Sequence, residues 1–304
     1  MLTRRQATLA LGSLAILPGR ASAQTLDRFT VAGWSQAISE ITNLLAEPDK
    51  GFFKAQGIAL DYVPGNGGGS AIQTLLTGQA DIAFTDPAAF YLALDKGEKL
   101  VAVYNIYPQN VFNVVAKAGS GIRTPADLKS KRIGVYSLSS GTRQNLQMLL
   151  HQVGLSDKDV TIEVTGLLVA RQKGIGEVEV IEVRDTLNIP SDIFVVRAAD
   201  YEAKKPLLRR FLKAYRDSAA WMIAEPREAA KLAVTRAING RDEALNLEII
   251  TLRNASSVSP TTNAKGLGHF DVDLMQKGAD TFRQLGLTGR TLDMGAVVKS
   301  DLIP

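Results

Sequence analysis

The 304-residue chain contains no cysteine and only two histidines, His151 and His269. The lack of cysteine excludes disulfide bonds, iron–sulfur clusters, thiolate zinc sites and a cysteine nucleophile. Two histidines are too few for a histidine-rich metal site, so we predict no metal, no cofactor and no catalytic residues. Hydrophobic residues make up 45% of the chain and charged residues 22%, which is typical of a folded protein rather than a disordered one.

The sequence also lacks an apolar run of the roughly 20 residues that a membrane-spanning helix needs. A shorter run, residues 7–17, follows Arg4 and Arg5, and residues 21–23 read Ala-Ser-Ala. This is the pattern of a cleaved secretory signal, so we predict a signal peptide over residues 1–23. The paired arginines leave two export routes open, the general secretory route and the twin-arginine route. An uncleaved membrane anchor is the alternative interpretation.

Excess charge of one sign is absent once the predicted signal is removed. The full chain has 35 basic and 31 acidic residues, and the signal contains three arginines and no acid. The remaining 32 basic and 31 acidic residues give a net charge of +1, which provides no basic surface for nucleic acid. We therefore predict a soluble periplasmic protein that does not bind nucleic acid.

Strand-like and helix-like segments alternate after the signal. Strands are predicted at residues 29–34, 59–63, 80–84 and 100–105, and the same plan restarts at 131–136 and 159–164. The alternation predicts an α/β fold with parallel strands, and the repeat predicts two similar lobes. Two apolar runs rich in β-branched residues, 111–116 and 193–196, are predicted to pair as crossing strands that form a hinge.

These patterns predict the domain organisation. After the signal peptide, residues 24–112 form the first part of lobe 1 and residues 113–194 form lobe 2. Residues 195–304 return to lobe 1 and add C-terminal helices, because amphipathic stripes dominate the chain after residue 200.

Several short motifs occur in a fixed order along the chain. They include Gly-Phe-Phe-Lys at 51–54, Gly-Gln-Ala-Asp-Ile-Ala at 78–83, Asp-Leu-Lys at 127–129 and Ile-Gly-Val at 133–135. In order and spacing, the chain resembles the nitrate/sulfonate/taurine and thiamine-precursor group of periplasmic substrate-binding proteins. These proteins are the soluble receptors of ABC importers. The resemblance implies a two-lobed periplasmic-binding-protein fold of type II, which closes on its ligand about two hinge crossings.

The second lobe departs from the family pattern. In the family, this lobe contains a further helix and strand, whereas here residues 160–164 run almost directly into residues 166–170. Measured against the repeat length of lobe 1, the second lobe is predicted to be shortened by roughly 20–30 residues. The alternative that the chain is a degenerate or non-transporting relative therefore stays open.

Ligands of open α/β sheets bind beyond the carboxyl ends of the strands, at the loops that enter the helices. In lobe 1, the candidate ligand-binding residues at these positions are Trp34, Ser35, Gln36, Asn66, Gly67, Gly68, Ser70, Thr85, Tyr107 and Asn110. In lobe 2, they are Ser139, Ser140, Gly141, Thr142 and Arg143. Each has a structural alternative: Trp34 as a core residue, the glycine-rich segment as a plain turn, and Arg143 as the partner of a surface acid. Asp86 is predicted to cap the helix that begins at Pro87.

The glycine-rich turn and Arg143 favour an acidic ligand, because helix N-termini and guanidinium groups bind anions. The leading prediction is a monomeric receptor that captures a small organic solute between its lobes. That solute is an anion such as a sulfonate or carboxylate, or a thiamine-precursor pyrimidine. The receptor would deliver it to an ABC permease and its ATPase subunit. An enzyme related to the family's pyrimidine-precursor synthases is a weaker alternative, since it would require a cysteine-rich segment that this chain lacks.

Overall fold

The computed structural model describes residues 25–138, 140–164 and 174–304. The predicted signal peptide, Ser139 and residues 166–170 lie outside the described residues. The strands in these ranges are β1 Asp27–Ala32, β2 Ile58–Val63, β3 Ile82–Thr85, β4 Leu100–Tyr107, β5 Val114–Lys117, β6 Arg132–Val135, β7 Thr161–Val164, β8 Val178–Ile181 and β9 Asp192–Arg197. The helices are α1 Thr42–Leu45, α2 Glu47–Lys50, α3 Gly68–Leu76, α4 Pro87–Asp95, α5 Gly141–Gln152, α6 Ala198–Ala203, α7 Lys205–Ala224, α8 Pro226–Arg236, α9 Glu243–Ser256, α10 Pro260–Lys265, α11 Val272–Gln284 and α12 Met294–Val297.

The main sheet has five strands in the order β2-β1-β3-β9-β4. Strand β1 pairs in parallel with both β2 and β3, as the alternation of strands and helices predicts. Ala32 at the end of β1 lies opposite Val63 of β2 and Ala83 of β3, so the three strands end along one edge of the sheet. The loops that follow them therefore face the same space.

Strand β9 corrects one prediction. Residues 193–196 do not pair with residues 111–116; they run antiparallel between β3 and β4 in the main sheet. The residues from Ile193 to Val196 are fully buried, which a strand covered by neighbours on both faces requires. Strand β5, which overlaps the other predicted crossing run, pairs instead with β8. The predicted boundary after residue 194 falls inside β9.

The middle segment, residues 114–181, contains two small sheets and helix α5. Strands β5 and β8 form an antiparallel pair, and β6 and β7 form a parallel pair. Two connections join this segment to the main sheet, residues 107–114 and residues 181–192. They hydrogen-bond to each other: the N–H of Ser191 donates to the carbonyl of Tyr107 at 2.9 Å, and the N–H of Val183 donates to Oδ1 of Asn113 at 3.0 Å. The two crossings thus run side by side.

The core beneath the main sheet depends on helix α7. One apolar stripe along this helix is buried: Leu208, Phe211, Leu212, Tyr215, Ala219 and Met222. Phe194 of β9 lies at its centre, with ring centroids 5.3 Å from Phe211 and 4.6 Å from Tyr215. This packing fixes β9 and the crossing that leads into it. Among the described helices, none is both long and apolar enough to cross a membrane.

Candidate functional site

A cavity of about 230 Å³ lies at the carboxyl edge of the main sheet, between this edge and the middle segment. Its walls come from the loops after β1, β2, β3 and β6 and from both crossings. The lining residues are Trp34, Glu40, Gly67, Gly68, Asp86, Val111, Phe112, Tyr136, Ser140, Gly141, Thr142 and Asp192. The position is the one expected for ligands of an open α/β sheet.

The structure brings together six of the fifteen candidate residues at this cavity: Trp34, Gly67, Gly68, Ser140, Gly141 and Thr142. Eight others do not line it: Ser35, Gln36, Asn66, Ser70, Thr85, Tyr107, Asn110 and Arg143. Ser139 lies outside the described residues. Several of these eight residues hold the lining residues in place.

The loops after β1 and β2 are fastened to each other. Nε2 of Gln36 donates to the carbonyl of Gly65 at 3.2 Å, and the N–H of Gly67 donates to the carbonyl of Trp34 at 2.6 Å. Within the glycine-rich turn, Oγ of Ser70 accepts from the N–H of Asn66 at 2.8 Å. The predicted polar residues therefore shape the wall that Trp34 and Gly67 form.

Glycine is required at this turn for two separate reasons. Gly67 has φ of 98°, a backbone conformation that residues with a side chain rarely adopt. A Cβ atom on Gly68 would lie 2.0 Å from Oδ2 of Asp86 and 2.6 Å from Oγ1 of Thr85. The absence of a side chain at position 68 therefore makes room for the Asp86 carboxylate at the cavity wall.

Asp86 caps helix α4, as predicted, but it also faces the cavity. Its Oδ1 accepts from the N–H of Ala89 at 2.9 Å. Burial raises the pKa of Asp86 to about 6, while hydrogen bonds from backbone N–H groups, including those of Ala89 and Gly141, act in the opposite direction. Because Gly141 begins α5, this carboxylate joins the main sheet to the middle segment.

Glu40 is a lining residue that sequence reasoning missed, since it lies in a helical turn without a recognisable motif. Oη of Tyr107 donates to its Oε1 at 2.8 Å, so Tyr107 positions Glu40 without lining the cavity itself. Burial raises the pKa of Glu40 above its ordinary value, and the Tyr107 hydrogen bond and the nearby Arg253 charge partly offset this.

Asp192 was also missed, although an acid directly before the apolar run 193–196 is a usable signal. It is only 6% exposed, and among the described residues no hydrogen bond reaches its carboxylate. Burial raises its pKa well above the ordinary range, an effect that Glu40 and Asp86 strengthen and Arg253 opposes. None of the three acids at this site was predicted as a ligand-binding residue from the sequence, since Asp86 was predicted only as a helix cap.

Arg143 and Asn110 have structural partners rather than a place in the cavity wall. Nη2 of Arg143 lies 3.3 Å from Oδ2 of Asp157, which is the ion pair of the alternative interpretation. Nδ2 of Asn110 donates to Oδ1 of Asn145 in α5 at 3.0 Å and to the carbonyl of Leu187 at 2.9 Å. Asn110 therefore holds α5 against the two crossings.

Aromatic rings form the apolar part of the wall. The ring of Trp34 meets that of Tyr136 edge to face, with centroids 6.2 Å apart, and Phe112 lines the cavity beside them. Tyr136, in the loop after β6, is 42% exposed, so its ring is part of the cavity wall and not of the packed core. Within the described ranges, no three acidic or histidine side chains are grouped closely enough to bind a metal ion. The cavity thus combines flat apolar surfaces with carboxylates and suits a small organic molecule.

The chain is similar to a curated binding protein in sequence and to a solved binding protein in structure. The riboflavin-binding protein RibY of Chloroflexus aurantiacus is 23% identical over 299 residues, which cover 88% of this chain and 85% of RibY. The structure of the alkanesulfonate-binding protein SsuA from Xanthomonas axonopodis pv. citri, bound to MOPS, matches with a TM-score of 0.66 and 17% identity. The match covers 90% of this chain and 98% of SsuA.

The same fold also occurs in an enzyme. The desulfurization enzyme DszB, solved as a mutant in complex with biphenyl-2-sulfinic acid, matches with a TM-score of 0.55 and 15% identity over 91% of this chain and 97% of DszB. Likeness at this level of identity shows the periplasmic-binding-protein fold and not an activity. A family profile described as NMT1/THI5 like matches residues 38–181 and 165–229, which together span more than half of the chain. The chain therefore belongs to the NMT1/THI5-like family.

Proposed function

We propose that the protein is an exported solute-binding receptor that captures a small organic solute in this cavity and delivers it to an ABC importer in the membrane. The observation that carries the proposal is the construction of the cavity. Its walls come from the strand ends of the main sheet and from the loop after β6 in the middle segment, with the two crossings between them. A solute that contacts both walls would stabilise the closed arrangement of two lobes.

The family and the fold support this proposal. RibY and SsuA are named for the small molecules that they bind, riboflavin and alkanesulfonates. We take residues 24–112 and 192–304 as lobe 1 and residues 113–191 as lobe 2, which moves the boundary predicted after residue 194 to the start of β9. The predicted signal peptide is the proposed means of export to the periplasm. The carboxylates around the cavity serve recognition in this account, and no covalent chemistry is assigned to them.

The test is thermal unfolding of the purified protein with a panel of solutes. The panel contains sulfonates, carboxylates, nitrate, thiamine-precursor pyrimidines, riboflavin and organic amines. A solute bound only by the folded protein raises stability by about 2.7 kcal/mol at a hundredfold excess over its dissociation constant. We expect one class to raise the melting temperature. A cooperative transition that no solute shifts would contradict the proposal and favour a non-transporting relative.

Two substitutions in one loop locate the site. Tyr136→Ala removes an exposed ring from the cavity wall, and Leu138→Ala removes a side chain that is 57% exposed and does not line the cavity. Neither change should lower stability by more than about 0.5 kcal/mol, because both side chains lie at the surface. We expect Tyr136→Ala alone to weaken binding of the panel solute. Equal affinities in the two variants would place the binding site elsewhere.

A further inference from the structure

We propose that the solute is an organic cation, or a heterocycle with a protonated nitrogen, whose N–H groups donate to Glu40, Asp86 and Asp192. This inference rests on the proposed function, since it assumes that the cavity is the solute site. The sequence favoured an anionic ligand, because of Arg143 and the glycine-rich turn. The structure instead favours a ligand of positive charge.

The charges around the cavity have one sign. Glu40, Asp86 and Asp192 line it, whereas no lysine, arginine or histidine in the described part of the chain does so. Arg253 is the cation whose charge acts on Glu40 and Asp192. Burial raises the pKa of all three acids, and a cation that displaces their protons would face three carboxylates and one guanidinium. The site therefore favours a cationic solute over an anionic one.

Arg253 contacts aromatic side chains, and its Nε and Nη1 atoms have no hydrogen-bond partner among the described residues. Its Nη2 donates to Oη of Tyr215 at 3.1 Å, and its guanidinium lies over the ring of Tyr107 at 5.7 Å from the centroid. It is buried and does not line the cavity. Its role here is to stabilise the nearby acids rather than to contact a ligand.

The carboxylate of Asp192 points independently to a donor on the ligand. Buried polar groups in folded proteins almost always have a hydrogen-bond partner. Asp192 is more than nine-tenths buried, lines the cavity and has no hydrogen-bond partner for its carboxylate among the described residues. Glu40 accepts a single hydrogen bond in the same ranges, from Tyr107. A solute with two or more N–H groups would satisfy both acids.

The remaining walls favour an organic cation over a metal ion. The three acids are not grouped as metal ligands among the described residues, and Trp34, Phe112 and Tyr136 supply ring faces. Aromatic rings attract a cation placed over them. A flat cation could therefore lie against these rings while its nitrogen atoms meet the carboxylates.

The test uses three probes with one phenyl ring and different charge. Benzamidine is a cation, benzamide is neutral and benzoate is an anion. Titration calorimetry at millimolar concentrations compares their binding to the purified protein. We expect benzamidine to bind at least tenfold more tightly than benzamide, and benzoate to bind more weakly than benzamide. Equal or tighter binding of benzoate would overturn the inference.

Variants assign the contacts. Asp192→Asn and Glu40→Gln should each weaken benzamidine binding by about 10- to 100-fold, the range for one hydrogen bond to a charged group. Asp185→Asn, an exposed acid that does not line the cavity, removes the same charge and should leave the affinity unchanged. Thermal unfolding of each variant shows whether it is folded. An affinity unchanged in both Asp192→Asn and Glu40→Gln would overturn the inference.

The pH dependence of benzamidine binding shows whether the three acids contact the solute, because acids with a purely structural role would not alter it. Burial raises the pKa of all three acids, and Arg253 opposes this at Glu40 and Asp192. A cation must displace protons from these groups, so benzamidine should bind more weakly as the pH falls from about 8 to about 5. Tighter binding at low pH would contradict a cationic solute.

The solute panel separates failure of this inference from failure of the proposed function. If none of the three probes binds, the charge of the solute found with the panel tests the inference. A cationic solute supports it. An anionic or neutral solute overturns it, while the proposed receptor function stands. If neither the probes nor the panel shift the unfolding transition, the proposed function itself is wrong.

Discussion

Replacing Asp86 with asparagine should change how the stability of the protein depends on pH. Burial raises the pKa of Asp86 from 3.8 to about 6 in the folded protein, so the folded state binds this proton more tightly than the unfolded state does. The protonated carboxyl therefore contributes stability that is fully present below about pH 4 and is lost as the pH rises through about 6. The asparagine side chain has no such proton, and it can still cap α4 through Oδ1.

The expected magnitude follows from the two pKa values. The difference between 3.8 and about 6 corresponds to about 3 kcal/mol, at 1.36 kcal/mol for each pH unit. Part of this difference is already lost at pH 4, where the unfolded-state carboxyl is partly ionised. The free energy of unfolding of the wild type, relative to that of Asp86→Asn, should thus fall by about 2.5 kcal/mol between pH 4 and pH 7. Acids that do not interact with Asp86 contribute equally to both proteins and cancel in this difference. Asp192 does not cancel, because the Asp86 charge raises its pKa in the wild type; its contribution has the same sign as that of Asp86.

Urea unfolding at a series of pH values measures this difference, provided that the dependence on urea is the same in both proteins. Asp127→Asn is the control of opposite sign. Backbone N–H groups of Arg123 and Thr124 hold the pKa of exposed Asp127 below its usual value, so the wild type should gain stability over this variant as the pH rises. A difference between wild type and Asp86→Asn that stays flat or increases from pH 4 to pH 7 would refute the reasoning.

Two further substitutions test the geometry of the site. Gly68→Ala should lower the free energy of unfolding by about 1–3 kcal/mol, because the new Cβ would lie 2.0 Å from Oδ2 of Asp86. Gly289→Ala, where no atom lies within 4 Å, serves as the control in the same urea experiment, and equal stability of the two variants would contradict the close approach. Arg143→Ala should leave the affinity for a panel solute unchanged in calorimetry, because Arg143 pairs with Asp157 outside the cavity wall. A tenfold loss of affinity would show that Arg143 contributes to solute binding.

Much of the main sheet could be predicted from the sequence. The strand, loop and helix order over residues 27–107 follows from local periodicity and from glycine positions, and it fixes the parallel pairing of β1, β2 and β3. The edge at which these strands end then locates the cavity, and six candidate residues line it.

The rest of the site depends on long-range packing that local patterns do not contain. The sequence of the run 193–196 is equally compatible with a crossing strand and with a central strand. In the structure the run is a central strand, because Phe194 packs against Phe211 and Tyr215. This placement brings Asp192 to the cavity edge. Glu40 reaches the cavity wall because Tyr107, 67 residues further along the chain, donates a hydrogen bond to it. Arg143 was favoured for its charge alone, and its partner Asp157 could not be identified from spacing.

Fluorescence of Trp34 tests most directly the claim that the solute binds in this cavity. The chain has two tryptophans, and Trp221→Phe leaves Trp34, in the cavity wall, as the single indole. Phenylalanine should keep the packing of this ring against Phe52. A solute that stabilises the protein should change the emission of Trp34, and the change should saturate at the concentrations at which calorimetry shows binding. Emission that stays constant while the solute saturates the protein would contradict the assignment of this cavity as the binding site.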